Sequence, residues 1–136
     1  MKWMQSLTKL ADLEVETLQK RLREIADRRA VIEQGLQNLE AEGRQESAHA
    51  ARDAQAGWYM AGYREGLKQR RAKAQAELNV CAMEEQGARD ALARAFEEQK
   101  KYERLAENAR VAANQLAAKR ESAVLDELAL RRTAVR

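Results

Sequence analysis

Starting at Ala11, apolar side chains recur in alternating steps of four and three residues: Ala11, Val15, Leu18, Leu22 and Ile25, then Arg29, Ile32, Leu36 and Leu39. A repeat of this period gives a helix one narrow apolar stripe, and a second helix is what buries such a stripe. Arg29 is the charged member of the series, at a position where a seam arginine fixes register or snorkels outward. A second series runs Leu67, Arg71, Ala74, Leu78, Cys81, Glu85, Ala88, Leu92 and Ala95. It continues through Gln99, Tyr102, Ala106, Ala109, Ala113, Leu116, Arg120 and Ala123. With no Pro and only 6 Gly in 136 residues, little in the chain interrupts helix.

Between the two series lies Glu40–Ala56, where no apolar residue is larger than Ala. A lapse of this kind suits a reversal of direction, so the expected fold is all-α: a long antiparallel two-helix coiled-coil hairpin with a longer second helix. The expected layout is a single coiled-coil domain over 1–136, with a first helix at about 4–42, a turn region at 43–57 and a second helix at about 58–132. Gly57–Gly66 is the rival turn; the four-residue spacing of Tyr59, Tyr63 and Leu67 on one helix face favours the earlier one. At about 1.5 Å per residue the arms come to roughly 60 and 115 Å, which predicts a rod. Part of the longer arm is then left over, and its face of Ala106, Ala109, Ala112, Ala113 and Leu116 lacks an internal partner. A partner helix could approach such a small-residue strip closely, and self-association would bury the same strip.

Charged residues make up 35% of the chain, and 25 Lys and Arg against 22 Asp and Glu leave a formal charge of +3 with the signs mixed throughout. The nearest approach to a basic patch is Arg64, Lys68, Arg70, Arg71 and Lys73, relieved by Glu65. This reads first as a solvated helix face, and next as a docking patch for an acidic protein surface. Nucleic-acid binding through the same residues would show as steeply salt-dependent association, and the alternating charges elsewhere weigh against it.

Cys81 and His49 are each the sole residue of their type, so no intramolecular disulfide and no His/Cys metal cluster can form, and no cofactor is expected. Neither a phosphate-binding glycine loop nor a His-paired nucleophile occurs, and a two-helix rod offers no concave interior for one; the chain is expected not to be an enzyme. The adjacent acids Glu84–Glu85, Glu97–Glu98 and Asp126–Glu127 read as solvated helix surface. Trp58, Tyr59 and Tyr63 cluster within a turn or two, either as a binding hot spot or as a miniature core at the hairpin end, and Trp3 is similarly ambiguous. Residues 1–10 lack the apolar run of a signal peptide, and no stretch reaches the ~20 apolar residues of a membrane span; a cytoplasmic protein is expected.

Two segments carry a family resemblance. The N-terminal arm opens with L-x-x-L-E-x-E at Leu10–Glu16, and the distal segment joins K-x-Y-E-R-L, at Lys100–Leu105, to L-D-E-L-A, at Leu125–Ala129. Together with the stretch from Tyr59 through Leu67 to Leu78, they make nearly the whole chain resemble FliJ, the small coiled-coil component of flagellar type III export. The resemblance implies a hairpin whose open end inserts into the ring of a FliI-like export ATPase, much as the γ stalk does in rotary ATPases. It also implies contact with an FlhA-like export-gate protein, escort of substrate chaperones, and a place at the inner membrane of the flagellar base. Carried onto this chain, the gate-facing patch falls at Leu39, Tyr63 and Leu67. The ATPase-facing surface falls at the open end, including Tyr102, Leu105, Asp126 and Glu127. The first arm departs from its relatives at Glu42 and Glu46, where they carry further aromatic or polar positions of the gate patch. The competing reading is a generic scaffold: a parallel coiled-coil dimer without internal reversal and without an export role.

Overall fold

The computed structural model describes residues 2–53 and 55–135. Two long helices account for nearly all of them: α1, Lys2–Arg52, and α2, Met60–Val135, joined by a short 3-10 turn at Ala56–Tyr59. The fold is the all-helical antiparallel hairpin with a longer second helix, 51 residues against 76. Its contacts divide into two compact units, Met1–Val15 with Arg94–Arg136 and Glu16–Ala93.

Within the unit 16–93 the apolar stripe of α1 meets that of α2. Ile25, Cys81 and Ala88 form the buried centre, with Leu22 and Ile32 packed against it. Ile25 and Cys81 are 1% and 2% exposed, so the lone cysteine serves as a small apolar seam residue. Direction and register are written in the cross-helix pairs. Advancing along α1 from Arg28 to Glu40 moves the partner back along α2 from Glu84 to Arg71, the signature of antiparallel pairing.

The helix of α1 continues to Arg52, ten residues past the end at Glu42 suggested by the loss of large apolar side chains. The segment holds because its inward positions are filled by other means. Gly43 is buried, and a Cβ built there would lie 2.8 Å from Leu67 Cδ2, so the leucine of α2 occupies the space the glycine leaves. One turn to either side, polar pairs continue the contact: Arg71 binds Glu40 at 2.6 Å, and the Tyr59 hydroxyl donates to Glu46 at 2.9 Å. A seam does not need a large aliphatic at every step if the opposite helix supplies one.

The reversal uses no residue at positive φ among those described. The Asp53 N–H donates to the His49 carbonyl at 3.1 Å, closing the last turn of α1. The Asp53 side chain then accepts from the Gln55 N–H at 3.0 Å, an Asx turn that diverts the chain from helix. Four residues of 3-10 helix lead straight into α2 through Met60, which is buried.

In the unit of 1–15 with 94–136, Ala11 and Val15 on α1 and Ala95 on α2 are buried, and Gln99 donates to Asp12 at 2.8 Å. The α2 residues that remain half-buried are Gln99, Tyr102, Ala106 and Ala109, in the same four-three rhythm as the sequence. From Arg110 to Val135 every residue is exposed.

Candidate partner-binding surfaces

Three places hold the charged, aromatic and exposed apolar residues that stand out along the two helices. The first is a clamp of charge across the middle of the seam. Glu85 is 8% exposed, and its two carboxylate oxygens are taken separately, by Arg29 at 2.6 Å and by Arg89 at 2.5 Å. Beside it Glu84 binds Arg28, with Arg21 at 4.0 Å. The sequence reading of Glu84–Glu85 as a solvated pair therefore needs correcting. Glu85 sits in the seam series itself, facing the arginine that interrupts the first series, and the two interruptions answer each other. Hydrogen bonds to the Cys81 thiol and to Glu84 raise the Arg28 guanidinium above its ordinary pKa. A buried carboxylate satisfied at both oxygens sets register more than it adds stability. Glu97 and Glu98, by contrast, are exposed as expected.

The second place is the turn end of the unit 16–93. Leu67 is buried against Gly43, and Leu39 lies one turn before Gly43 on the same face of α1, half-buried. Tyr63 is one turn before Leu67 on α2, also half-buried, with the Arg70 guanidinium 5.9 Å from its ring centroid. The three residues assigned to the gate patch thus come to one end of this unit. Leu67 is the packing member, while Tyr63 and Leu39 keep part of their surface in solvent. Tyr59 belongs with them, and its bond to Glu46 raises the phenol above its usual pKa. Glu46 is thereby used structurally. Trp58 is 85% exposed, edge-on to Tyr59 with ring centroids 6.1 Å apart. The aromatic cluster is thus divided: Tyr59 and Tyr63 are partly packed and Trp58 stands out. Of the basic residues nearby, Arg71 is engaged by Glu40 and Arg70 by Tyr63, while Arg64, Lys68 and Lys73 are exposed on the helix surface.

The third place is the end of α2. Tyr102 is half-buried in the seam and Leu105 is 43% exposed beside it. Asp126 and Glu127 lie much further along, in the fully exposed stretch, where Glu127 holds Arg131 at 3.0 Å. The four residues assigned to an ATPase surface form neither one cluster nor one pocket but are spread along about seven turns of a single helix. Leu116, Val124, Leu125, Leu128, Leu130 and Val135 are all half or more exposed there. Of these, Leu116 lies in the four-three series and on the Ala face, while Val124, Leu125, Leu128, Leu130 and Val135 fall outside both. Nearer the seam, Arg110 binds Glu107 at 2.6 Å, which lowers the pKa of the carboxyl and raises that of the guanidinium.

Among the described residues no group of three or more His, Cys, Asp or Glu is placed to hold a metal ion, and no helix is long and apolar enough to cross a membrane. An antiparallel hairpin of two long helices, the second the longer, defines a coiled-coil protein. The model of the family described as the flagellar FliJ protein matches residues 1–136. Flagellar FliJ proteins of two Caulobacter vibrioides strains, NA1000/CB15N and ATCC 19089/CB 15, are each 50% identical over 134 residues, covering 98% of this chain and 96% of theirs. The chain belongs to the FliJ family, which gives it a role associated with flagellar protein export. No solved structure matches it.

Proposed function

We propose that this chain is a non-enzymatic stalk of the flagellar export apparatus, acting as a single coiled-coil domain that couples the export ATPase to the export gate and escorts substrate chaperones. The observation that carries the proposal is the end of α2: every residue from Arg110 to Val135 is exposed, although the stretch includes Leu116, Val124, Leu125, Leu128 and Leu130. A helix that leaves this much apolar surface in water gains by inserting it into a partner. The surface offered to the ATPase ring includes Tyr102, Leu105, Asp126 and Glu127, the acids supplying polar contacts at the rim of the apolar row.

The gate contact lies at the turn end, through Tyr63 with Leu39 and Leu67. Tyr63 is the member with both exposed surface and a rigid setting, held by its Arg70 contact, and a partly packed tyrosine loses little entropy on binding. Leu67 shapes the patch from beneath. Attachment to the inner membrane at the flagellar base is peripheral and runs through these partners; among the described residues no helix is long and apolar enough to cross a membrane.

The test is a pull-down against the purified export ATPase and the cytoplasmic domain of its gate protein, with Tyr63→Ala and a truncation after Ala109 beside the full chain. Loss of the ATPase on truncation and weaker gate binding by Tyr63→Ala are the expected results. A folded full chain that holds neither partner leaves a generic coiled-coil scaffold as the better account.

A further inference from the structure

The exposed end of α2 carries its charges in an order that fits a second copy of itself. Lys119 and Arg120 precede Asp126 and Glu127 by one heptad, and all four are exposed. Two such segments laid antiparallel about Ser122–Ala123 set Lys119 level with the partner's Asp126, and Arg120 within a turn of the partner's Glu127. The two-fold axis repeats both contacts. The same alignment places Leu116 within one residue of the partner's Leu130, and small residues, Ser122 and Ala123, where the two helices cross. Parallel alignment in register does the reverse, setting like charges side by side at both positions.

We propose that residues 110–135 form the interface of an antiparallel homodimer. The uncovered length, about seven turns, exceeds what a stable short coiled coil needs only if its seam is apolar throughout; here Ala predominates, so the dimer is weak and concentration-dependent. The occupant follows from charge order: a segment with basic residues at one end of a heptad and acidic residues at the other is complementary to itself reversed. The surface overlaps the one assigned above to the ATPase, so the dimer and the ATPase complex exclude each other. The dimer itself is measured on the protein alone and stands or falls without that assignment.

Sedimentation equilibrium of the full chain at low salt tests it. The mass should climb from 15.5 kDa toward twice that as concentration rises. Lys119→Glu with Arg120→Glu, or Asp126→Lys with Glu127→Lys, each turn the four cross-helix contacts repulsive and should weaken dimerisation about ten-fold or more. All four changes in one chain restore the pairing with its signs exchanged, and should return the affinity to near the original. These residues are all exposed, so circular dichroism should show folding unchanged in every variant. A full chain that stays at 15.5 kDa throughout overturns the proposal, and so does a four-fold variant as weak as the two-fold ones.

Discussion

Gly43→Ala tests the closest approach between the two helices, and its sign can be worked from the structure. Replacing a glycine by alanine inside a helix contributes about 1 kcal/mol through backbone entropy alone. At Gly43 the new methyl meets Leu67 Cδ2 at 2.8 Å, about 0.6 Å inside the 3.4 Å where ordinary contact begins. Leu67 is 7% exposed, so its side chain has little room to swing away, and overpacking of this kind costs about 1–3 kcal/mol. The net expectation is a loss of about 0–2 kcal/mol. Gly35 provides the internal control, because a Cβ there meets nothing within 4 Å, and Gly35→Ala should stabilise by up to about 1 kcal/mol. The difference between the two alanines, about 1–3 kcal/mol, isolates the contact. Urea unfolding followed by circular dichroism measures both. A second cycle with Leu67→Ala should make Gly43→Ala favourable, since the clashing methyl is gone. Equal stabilisation at Gly35 and Gly43 would refute the approach of α2 to α1 at this point, and the register with it.

Ile25→Ala, at the centre of the unit 16–93, should cost about 2–5 kcal/mol by opening a cavity against Cys81 and Ala88, read from the same urea curves. Glu85→Gln keeps the shape of the clamp and removes its charge; a loss of about 1–2 kcal/mol is expected, most of it absent when Arg29 is already Ala. Because the bond to Glu46 raises the Tyr59 pKa in the folded chain, its contribution to stability is fully present below the ordinary phenol pKa. That contribution is lost as pH rises through the raised value. Tyr59→Phe should therefore remove a tyrosinate step above the ordinary phenol range from the absorbance titration and flatten the alkaline fall in stability.

The heptad steps made the hairpin legible, because a four-three rhythm that lapses once and resumes lets one helix fold back and bury its stripe against the other. They also foretold Cys81 as a seam residue, and the half-buried positions of α2 from Gln99 to Ala109. Two things stayed hidden. Glu85 looked like surface because a carboxylate in a seam makes sense only when the facing residue is known, and Arg29 lies 56 positions away. The run from Gly43 to Arg52 looked like a lapse because a small residue reads as missing contact until the opposing side chain, Leu67, is placed over it. Of the surfaces, the turn-end cluster could be found from aromatic spacing. The overhang was legible as far as Leu116, but Val124, Leu125, Leu128 and Leu130 were not, because no single helical period joins them and leucines on several sides of a helix stand out only when their exposure is seen.

The most direct test of the account is hydrogen exchange along α2, measured in dilute solution with and without the export ATPase. Alone, amides of residues 110–135 should exchange quickly and those facing Ile25 slowly, since only the latter are locked by packing. Adding the ATPase should protect 110–135 and leave the unit 16–93 unchanged. Slow exchange of 110–135 in the isolated chain, or protection that appears only within 16–93, would contradict the claim that the uncovered end of α2 is what the export machinery takes.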